Sequence, residues 1–395
     1  MQVYADNAAT TKMSKVALKA MFDALENTYG NPSSMHKEGQ KASKALKSAR
    51  ESIAVNLGCL PEEIYFTSGG TESDNHAILS AAAAGEKIGK KHIVSTTFEH
   101  HAILHTLDRL VERGFEITLL DVHHDGLVRL DELSNALKDE TCLVTITYAN
   151  NEIGTVQPIA DIGRICKERG ILFHTDAVQV VGYLQLDVNS LNIDMLSLSA
   201  HKFHGPKGVG VFYARKGLSL VNVIEGGAQE KGKRAGTENV PGIVAMAAAM
   251  DEAYLKMPEN RATVARLRDR LIAGLEKIPY SVLNGDRQSR LPNNVSFCFE
   301  GVEGESLLLY LDQLGICVSS GSACTSGSLE PSHVLLAIGR PHELAHGSLR
   351  LSLCSENTEE EIDYIIESVT SVVERLRALS PVWRDLTEGK REHVI

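Results

Sequence analysis

Between residues 92 and 200, apolar runs of strand length alternate with amphipathic helical segments, and nothing else in this chain restricts its fold so tightly. The runs are HIVSTTF (92–98), EITLLDV (116–122), CLVTITYAN (142–150), ILFHTDAV (171–178) and DMLSLSA (194–200). Helical stretches at 101–113, 130–138 and 159–169 separate them, the last with Ile159, Ile162, Ile165 and Cys166 on one face. Strands that are apolar throughout need cover on both faces, and strands alternating with helices pair in parallel. The alternation predicts an α/β domain whose mainly parallel sheet is covered by helices. GPKGVGVFYAR (205–215) departs from the pattern and predicts a hairpin return onto that sheet.

After a long helical stretch at about 242–277 the pattern changes. NNVSFCFE, GICVSS and SLRLSL are short strands separated by helices at about 304–314 and 358–378, which predicts a smaller α+β domain. The expected division is a large domain over 15–258, a small domain over 1–14 and 259–378, and a tail over 379–395. The last residues, TEGKREHVI, are polar and expected to fray.

The net charge of -11 argues against nucleic acid or an anionic membrane as the main partner. The least charged window, VPGIVAMAAAM, is about half the length a membrane span requires. No charged-then-apolar leader opens the chain, since MQVYADNAATT is polar from its second residue. Cysteine occurs 7 times, an odd number with no C-x-x-C pair, as expected of free thiols in a reducing cytoplasm.

In open α/β sheets ligands bind at the carboxyl ends of the strands, and several polar residues fall at such ends. FTSGGTESDNHA (66–77) passes from a strand through small residues into a helix, where free N–H groups and the helix dipole favour an anion. A plain serine/glycine cap explains the same stretch, and it is no P-loop. Asp176 and Gln179 follow an apolar strand in HTDAVQ; the aspartate either caps the next helix or serves a site. Lys202, in SLSAHKFHGPKG, is either a surface charge or an amine facing that acid and that anion site. An amine for its aldehyde, an acid for its ring nitrogen and an anion site for its phosphate are the three partners of pyridoxal phosphate. Near the C-terminus, SSGSACTSGS (319–328) sets Cys324 among serines and glycines, an unusual setting for a structural thiol.

YADNAATT, YGNPSSMH, FTSGGTES, EHHAIL, NNEIGT, HTDAVQ, SAHKFHGPKG, RAGTENVP and SSGSACTSGSLEPSHVL follow one another in order from about residue 3 to residue 375. Together they resemble the NifS/IscS-type cysteine desulfurases, class V aminotransferases of pyridoxal phosphate fold type I. The resemblance implies that Lys202 forms the Schiff base with pyridoxal 5'-phosphate and that Asp176 keeps the pyridine nitrogen protonated. Gln179 and Asn151 match contacts to the cofactor's phenolic oxygen and the substrate, and His100 matches the histidine stacked on the ring. Gly70, Thr71, Ser199 and His201 match the phosphate-binding set. Thr237 matches a phosphate ligand from a neighbouring subunit, which implies a homodimer. Arg350 matches the clamp on the substrate carboxylate, a task suited to its bidentate fork. Cys324 matches the loop cysteine that takes sulfur from L-cysteine as a persulfide, and glycine and serine let such a loop swing. At an ordinary thiol pKa only roughly 3 % is thiolate at neutral pH, so the thiol needs activation.

The implied products are L-alanine and an enzyme persulfide, with an iron–sulfur scaffold protein of the NifU/IscU type as acceptor, docking near the small domain and the loop. The cytoplasm is the expected location. A selenocysteine lyase or another class V aminotransferase would use Lys202 and Asp176 without needing Cys324. A catalytically idle sulfur carrier is disfavoured by the intact lysine, aspartate and arginine. No metal is expected: His101 and His105 are spaced as half a zinc site but lack a third ligand. Cys298, Cys317 and Cys354 are expected in the core. Gly70 stands where alanine is frequent and Asp74 where asparagine is frequent, and altered phosphate-loop packing is the most that either implies.

Overall fold

The computed structural model describes residues 1–321 and 331–395. In chain order its first part runs β1 (Val3–Tyr4), α1 (Lys15–Asn27), α2 (Lys37–Leu57), β2 (Ile64–Thr67), α3 (Gly70–Lys87), β3 (His92–Thr96), α4 (His101–Val111) and β4 (Glu116–Leu120). There follow α5 (Leu130–Ala136), β5 (Thr141–Thr145), α6 (Ile159–Arg169), β6 (Leu172–Asp176), β7 (Met195–Ser199), β8 (Gly210–Ala214), the single turn α7 (Gln229–Gly232) and α8 (Val240–Leu275). The remainder is β9 (Ser281–Leu283), β10 (Asn294–Phe299), α9 (Gly304–Gln313), β11 (Ile316–Cys317), α10 (His333–Ala337), α11 (His342–Ala345), β12 (Ser348–Ser352), α12 (Glu359–Leu379) and α13 (Pro381–Thr387).

Seven strands form one sheet in the order β2-β8-β7-β6-β5-β3-β4. The pairs from β4 across to β7 are parallel, while β8 runs antiparallel to both β7 and β2. That is the hairpin return expected at 205–215. The interior strands β3, β5, β7 and β8 are buried at every position, whereas the edge strand β4 is half exposed. This burial is why their sequences are apolar runs and not alternations.

A second, three-stranded sheet has the order β12-β10-β9, and β1 pairs with β11 in parallel. The long helix α8 serves two cores. Ile243, Met246 and Met250 in its first half pack into the core that holds β6 and β7. Val264, Leu267 and Leu271 in its second half pack with Val295, Phe297 and Leu351 of the small sheet.

The C-terminal residues are pinned and not frayed. The Arg377 guanidinium lies 4.0 Å over the Trp383 ring and donates to the carbonyls of Pro279, Tyr280 and Glu300. His393 stacks on Tyr280 at 3.9 Å and meets the Glu300 carboxylate at 2.7 Å. Polar composition misled here because the contacts are ring stacking, a guanidinium over a ring and side-chain hydrogen bonds, which a hydropathy pattern does not register.

Phe173 sits fully buried on β6, the middle strand of the large sheet. Phe173→Ala is expected to cost about 3–5 kcal/mol, measured as a lower urea midpoint with an unchanged m-value.

Candidate active site

The carboxyl ends of β6 and β7 and the N-terminus of α3 open into a cavity of about 280 Å³. Gly70, Thr71, Ser199 and His201 line one side of it. His100, Asn151, Asp176, Gln179, Lys202 and Arg350 line the rest, together with Asp74, Thr147 and the N-terminal residues Ala8 and Ala9. Those between residues 70 and 202 are gathered because parallel strands all end on one edge of a sheet, while Ala8, Ala9 and Arg350 are brought in from outside that sheet. Thr237 is solvent-exposed and does not line the cavity. Cys324 lies outside the described residues.

Among the described residues no side chain caps α3; its cap is Gly69 at φ 155, a conformation open to glycine. A Cβ added at Gly70 would meet Val178 Cγ2 at 2.7 Å, so the helix start is pressed against the turn after β6. The α3 N-terminus therefore faces the cavity with backbone N–H groups free of side-chain caps, a setting that favours an anion. His201 flanks it, its Nδ1 3.1 Å from the Thr10 hydroxyl. Burial, then the charges of Lys202 and Lys207, push the His201 pKa down to about 4.

Asp176 ends β6. Its Oδ1 accepts from the Val178 N–H at 2.9 Å within the turn after β6. No helix follows there for it to cap, since the next element is β7, so of the two expected roles the structure leaves the place in the cavity. Burial pushes its carboxyl up to about 6 against the pull of that N–H and of Lys202. The Lys202 Nζ donates to the carbonyls of Ala8 at 2.6 Å and Ala9 at 2.8 Å. Gln179 Nε2 donates to the Ala8 carbonyl as well, at 3.1 Å.

His100 caps α4, its Nδ1 accepting from the Ala102 N–H at 3.1 Å. Burial, then Lys202, His101 and His105, push its pKa down to about 4. A neutral ring that accepts at Nδ1 carries its proton on Nε2. His101 and His105 pack ring against ring, with centroids 5.0 Å apart, and His101 also meets the ring of His333 at 4.6 Å.

Arg350 comes from β12 of the small sheet and is 2 % exposed. One terminal nitrogen meets Asp6 Oδ1 at 3.0 Å and the other donates to the Asn151 carbonyl at 3.4 Å. Its Nε has no hydrogen-bond partner among the described residues. A buried guanidinium with a spare donor suits a carboxylate.

Four buried acids or bases around the cavity were not singled out for roles from sequence. Glu99 accepts from the Thr96 hydroxyl at 2.6 Å and the Thr147 N–H at 3.0 Å, and burial pushes its carboxyl up to about 8. Glu152 accepts from the hydroxyl of Ser332 and is pushed up to about 7 by burial, against Ser332 and Arg350. Asp74, treated as a packing change, faces the cavity beside Asp176. His174 lies two residues before Asp176, hence on the same face of β6. Period-two spacing could have flagged His174, and the four-residue step from Gly70 could have flagged Asp74.

The family model for class-V aminotransferases matches residues 3–365. A cysteine desulfurase IscS of Clostridium botulinum is 51% identical over 394 residues, which are 99% of each chain. One of Methanosarcina thermophila is 53% identical over 380 residues, 96% of this chain and 94% of that one. A solved structure of a NifS-like protein superposes with a TM-score of 0.89 at 40% identity, covering 95% of this chain and 100% of its own. An extended family match, half-identical relatives and a shared fold agree with the cavity's amine, acid and anion site: this chain belongs to the class-V aminotransferases, among the pyridoxal-phosphate-dependent cysteine desulfurases of NifS/IscS type.

Proposed function

We propose that the chain converts L-cysteine to L-alanine, takes the sulfur onto Cys324 as a persulfide, and passes it to a scaffold protein that assembles iron–sulfur clusters. The observation that carries this reading is the convergence of the Lys202 amine, the buried Asp176 carboxyl and the Arg350 guanidinium on one cavity. Pyridoxal phosphate fits that cavity. The uncapped start of α3, with Gly70, Thr71, Ser199 and His201, suits its phosphate, Asp176 suits its ring nitrogen, and the Lys202 amine suits its aldehyde. When bound, the group supplies an electron-accepting ring that makes the substrate's α-proton acidic.

The chain's own residues do the rest. Arg350 holds the substrate carboxylate through its unpartnered Nε and so orients the α-carbon. The Lys202 amine, poised by the carbonyls of Ala8 and Ala9, takes the α-proton. His100, neutral and bearing its proton on Nε2, is the nearby group able to hand a proton to the departing substrate fragment. The Cys324 thiolate attacks the substrate sulfur: a sulfur–sulfur bond forms, the carbon–sulfur bond breaks, and the carbon takes a proton to become the methyl group of alanine.

A second copy of the chain completes the site in this reading. Thr237 is exposed and away from its own cavity, and α1 leaves Leu18, Phe22 and Leu25 uncovered, with Phe22 68% exposed. A division near residue 258 leaves the cavity between the large part and the small sheet that carries Arg350. The cytoplasm is the compartment that suits seven cysteines without a disulfide framework.

On adding L-cysteine, the wild-type protein is expected to release alanine and gain one sulfur atom by intact mass, which an added scaffold protein then removes. Cys324→Ser is expected to do neither. Equal turnover by both would move the reading to a selenocysteine lyase or aminotransferase. Light scattering is expected to give twice the chain mass, and Thr237→Ala to lower cofactor retention without altering that mass. A monomer that keeps its cofactor would rule out the shared site.

A further inference from the structure

Asp74 stands on the second turn of α3, 1% exposed, and lines the cavity from below. Its Oδ1 has no hydrogen-bond partner among the described residues. A buried carboxylate oxygen that keeps its charge without a hydrogen-bond partner is costly, so the surroundings decide whether Asp74 stays ionised. On β6 it faces His174 and Asp176, and from the turn after β3 it faces Glu99. The His174 Nε2 comes within 3.7 Å of Oδ1, too far for a hydrogen bond, and that ring supplies no charge. Its Nδ1 is 2.8 Å from the Thr145 hydroxyl and its Nε2 3.0 Å from the Ser197 hydroxyl, and burial pushes its pKa down to about 3. Burial, then the Asp176 carboxylate, opposes a negative charge on Asp74, and the Ser197 hydroxyl favours one; Glu99, itself pushed up to about 8, adds no charge of its own at neutral pH. The cations Lys202 and Arg350 also line the cavity, but it is Asp176 that Lys202 stabilises, together with the Val178 N–H. His100 is neutral. Two neighbouring buried carboxyls do not both ionise readily, and the proton goes to the one with fewer donors.

We propose that Asp74 is a positioning residue that holds a proton at neutral pH, so that Asp176 alone carries the negative charge offered to a protonated pyridine nitrogen. The proposal rests on the reading of the cavity as a pyridoxal phosphate site. One negative charge matches one protonated nitrogen, and a second would leave an uncompensated charge in the floor of the site. The neutral acid also gives α3 a donor against the sheet where a carboxylate could only accept.

The test is infrared spectroscopy of the holoenzyme with Asp74→Asn, an isosteric mimic of the neutral acid. Wild type is expected to show the C=O stretch of a protonated carboxyl at neutral pH that is lost in D74N and kept in Glu99→Gln. The visible absorption and retention of the bound cofactor are expected to match between wild type and D74N at neutral pH, diverging only under alkaline conditions. Melting gives a readout independent of the cofactor. Because the native pKa lies above the unfolded one, wild-type stability falls as pH rises past roughly 4, and the Tm advantage of D74N widens with pH. No lost carboxyl band in D74N, with cofactor absorption already shifted at neutral pH, would mean that Asp74 carries a charge, and the proposal fails. A protein that takes up no cofactor in either form would sink the reading of the cavity instead, leaving the infrared and melting comparisons to decide on Asp74.

Discussion

The carbonyls of Ala8 and Ala9 hold the amine of Lys202, and the rest of the site depends on that contact. The same short segment is stitched to the small sheet. Ser352 donates its N–H to the Ala5 carbonyl at 2.7 Å, and its carbonyl accepts from the Asn7 side chain at 2.8 Å. Ser352 is two residues from Arg350 on β12, so both project from one face of that strand. One stretch of backbone therefore sets the distance between the amine of the large sheet and the guanidinium of the small one. Neither sheet alone contains a complete site. A hydrogen-bonded strap can do this because each residue offers a donor and an acceptor on the main chain, leaving side chains such as Asn7 to add further ties.

Around that strap the charges are sorted by burial. His100, His174 and His201 are all held neutral, so Lys202 and Arg350 are left as the cations that line the cavity. Of the acids, Glu99 and Glu152 are pushed towards the protonated form, and Asp176 has the donors that favour its charge. The result is a polar cavity with few net charges, each at a place where a zwitterionic amino acid or an anionic cofactor offers its opposite. Low dielectric makes those few charges effective and makes any extra one expensive.

The sheet was legible in the sequence because buried parallel strands are apolar at every position, and β3, β5 and β7 have no exposed residue to interrupt the run. Asp176 and Lys202 stood out for the complementary reason, as polar groups directly after such runs. Their meeting in one cavity follows from strand order, which periodicity does not encode. Asp74 was legible only as a change in packing because its neighbours His174, Asp176 and Ser197 come from β6 and β7, distant in sequence, and a carboxyl on a helix reads as solvated until its surroundings are known. The pinned C-terminus escaped likewise, since the partner of His393 is Glu300 and that of Trp383 is Arg377. The stretch around Cys324 lies outside the described residues and was legible only as composition.

The proposed chemistry requires Lys202 to be the residue that bears the cofactor. Borohydride reduction of the purified yellow protein, followed by digestion and peptide mass mapping, tests it most directly. The peptide containing Lys202 should carry the reduced pyridoxyl group, and no other lysine should. A tag on a different lysine, or none on any, would contradict the assignment of the cavity and with it the chemistry built on Ala8, Ala9, Asp176 and Arg350.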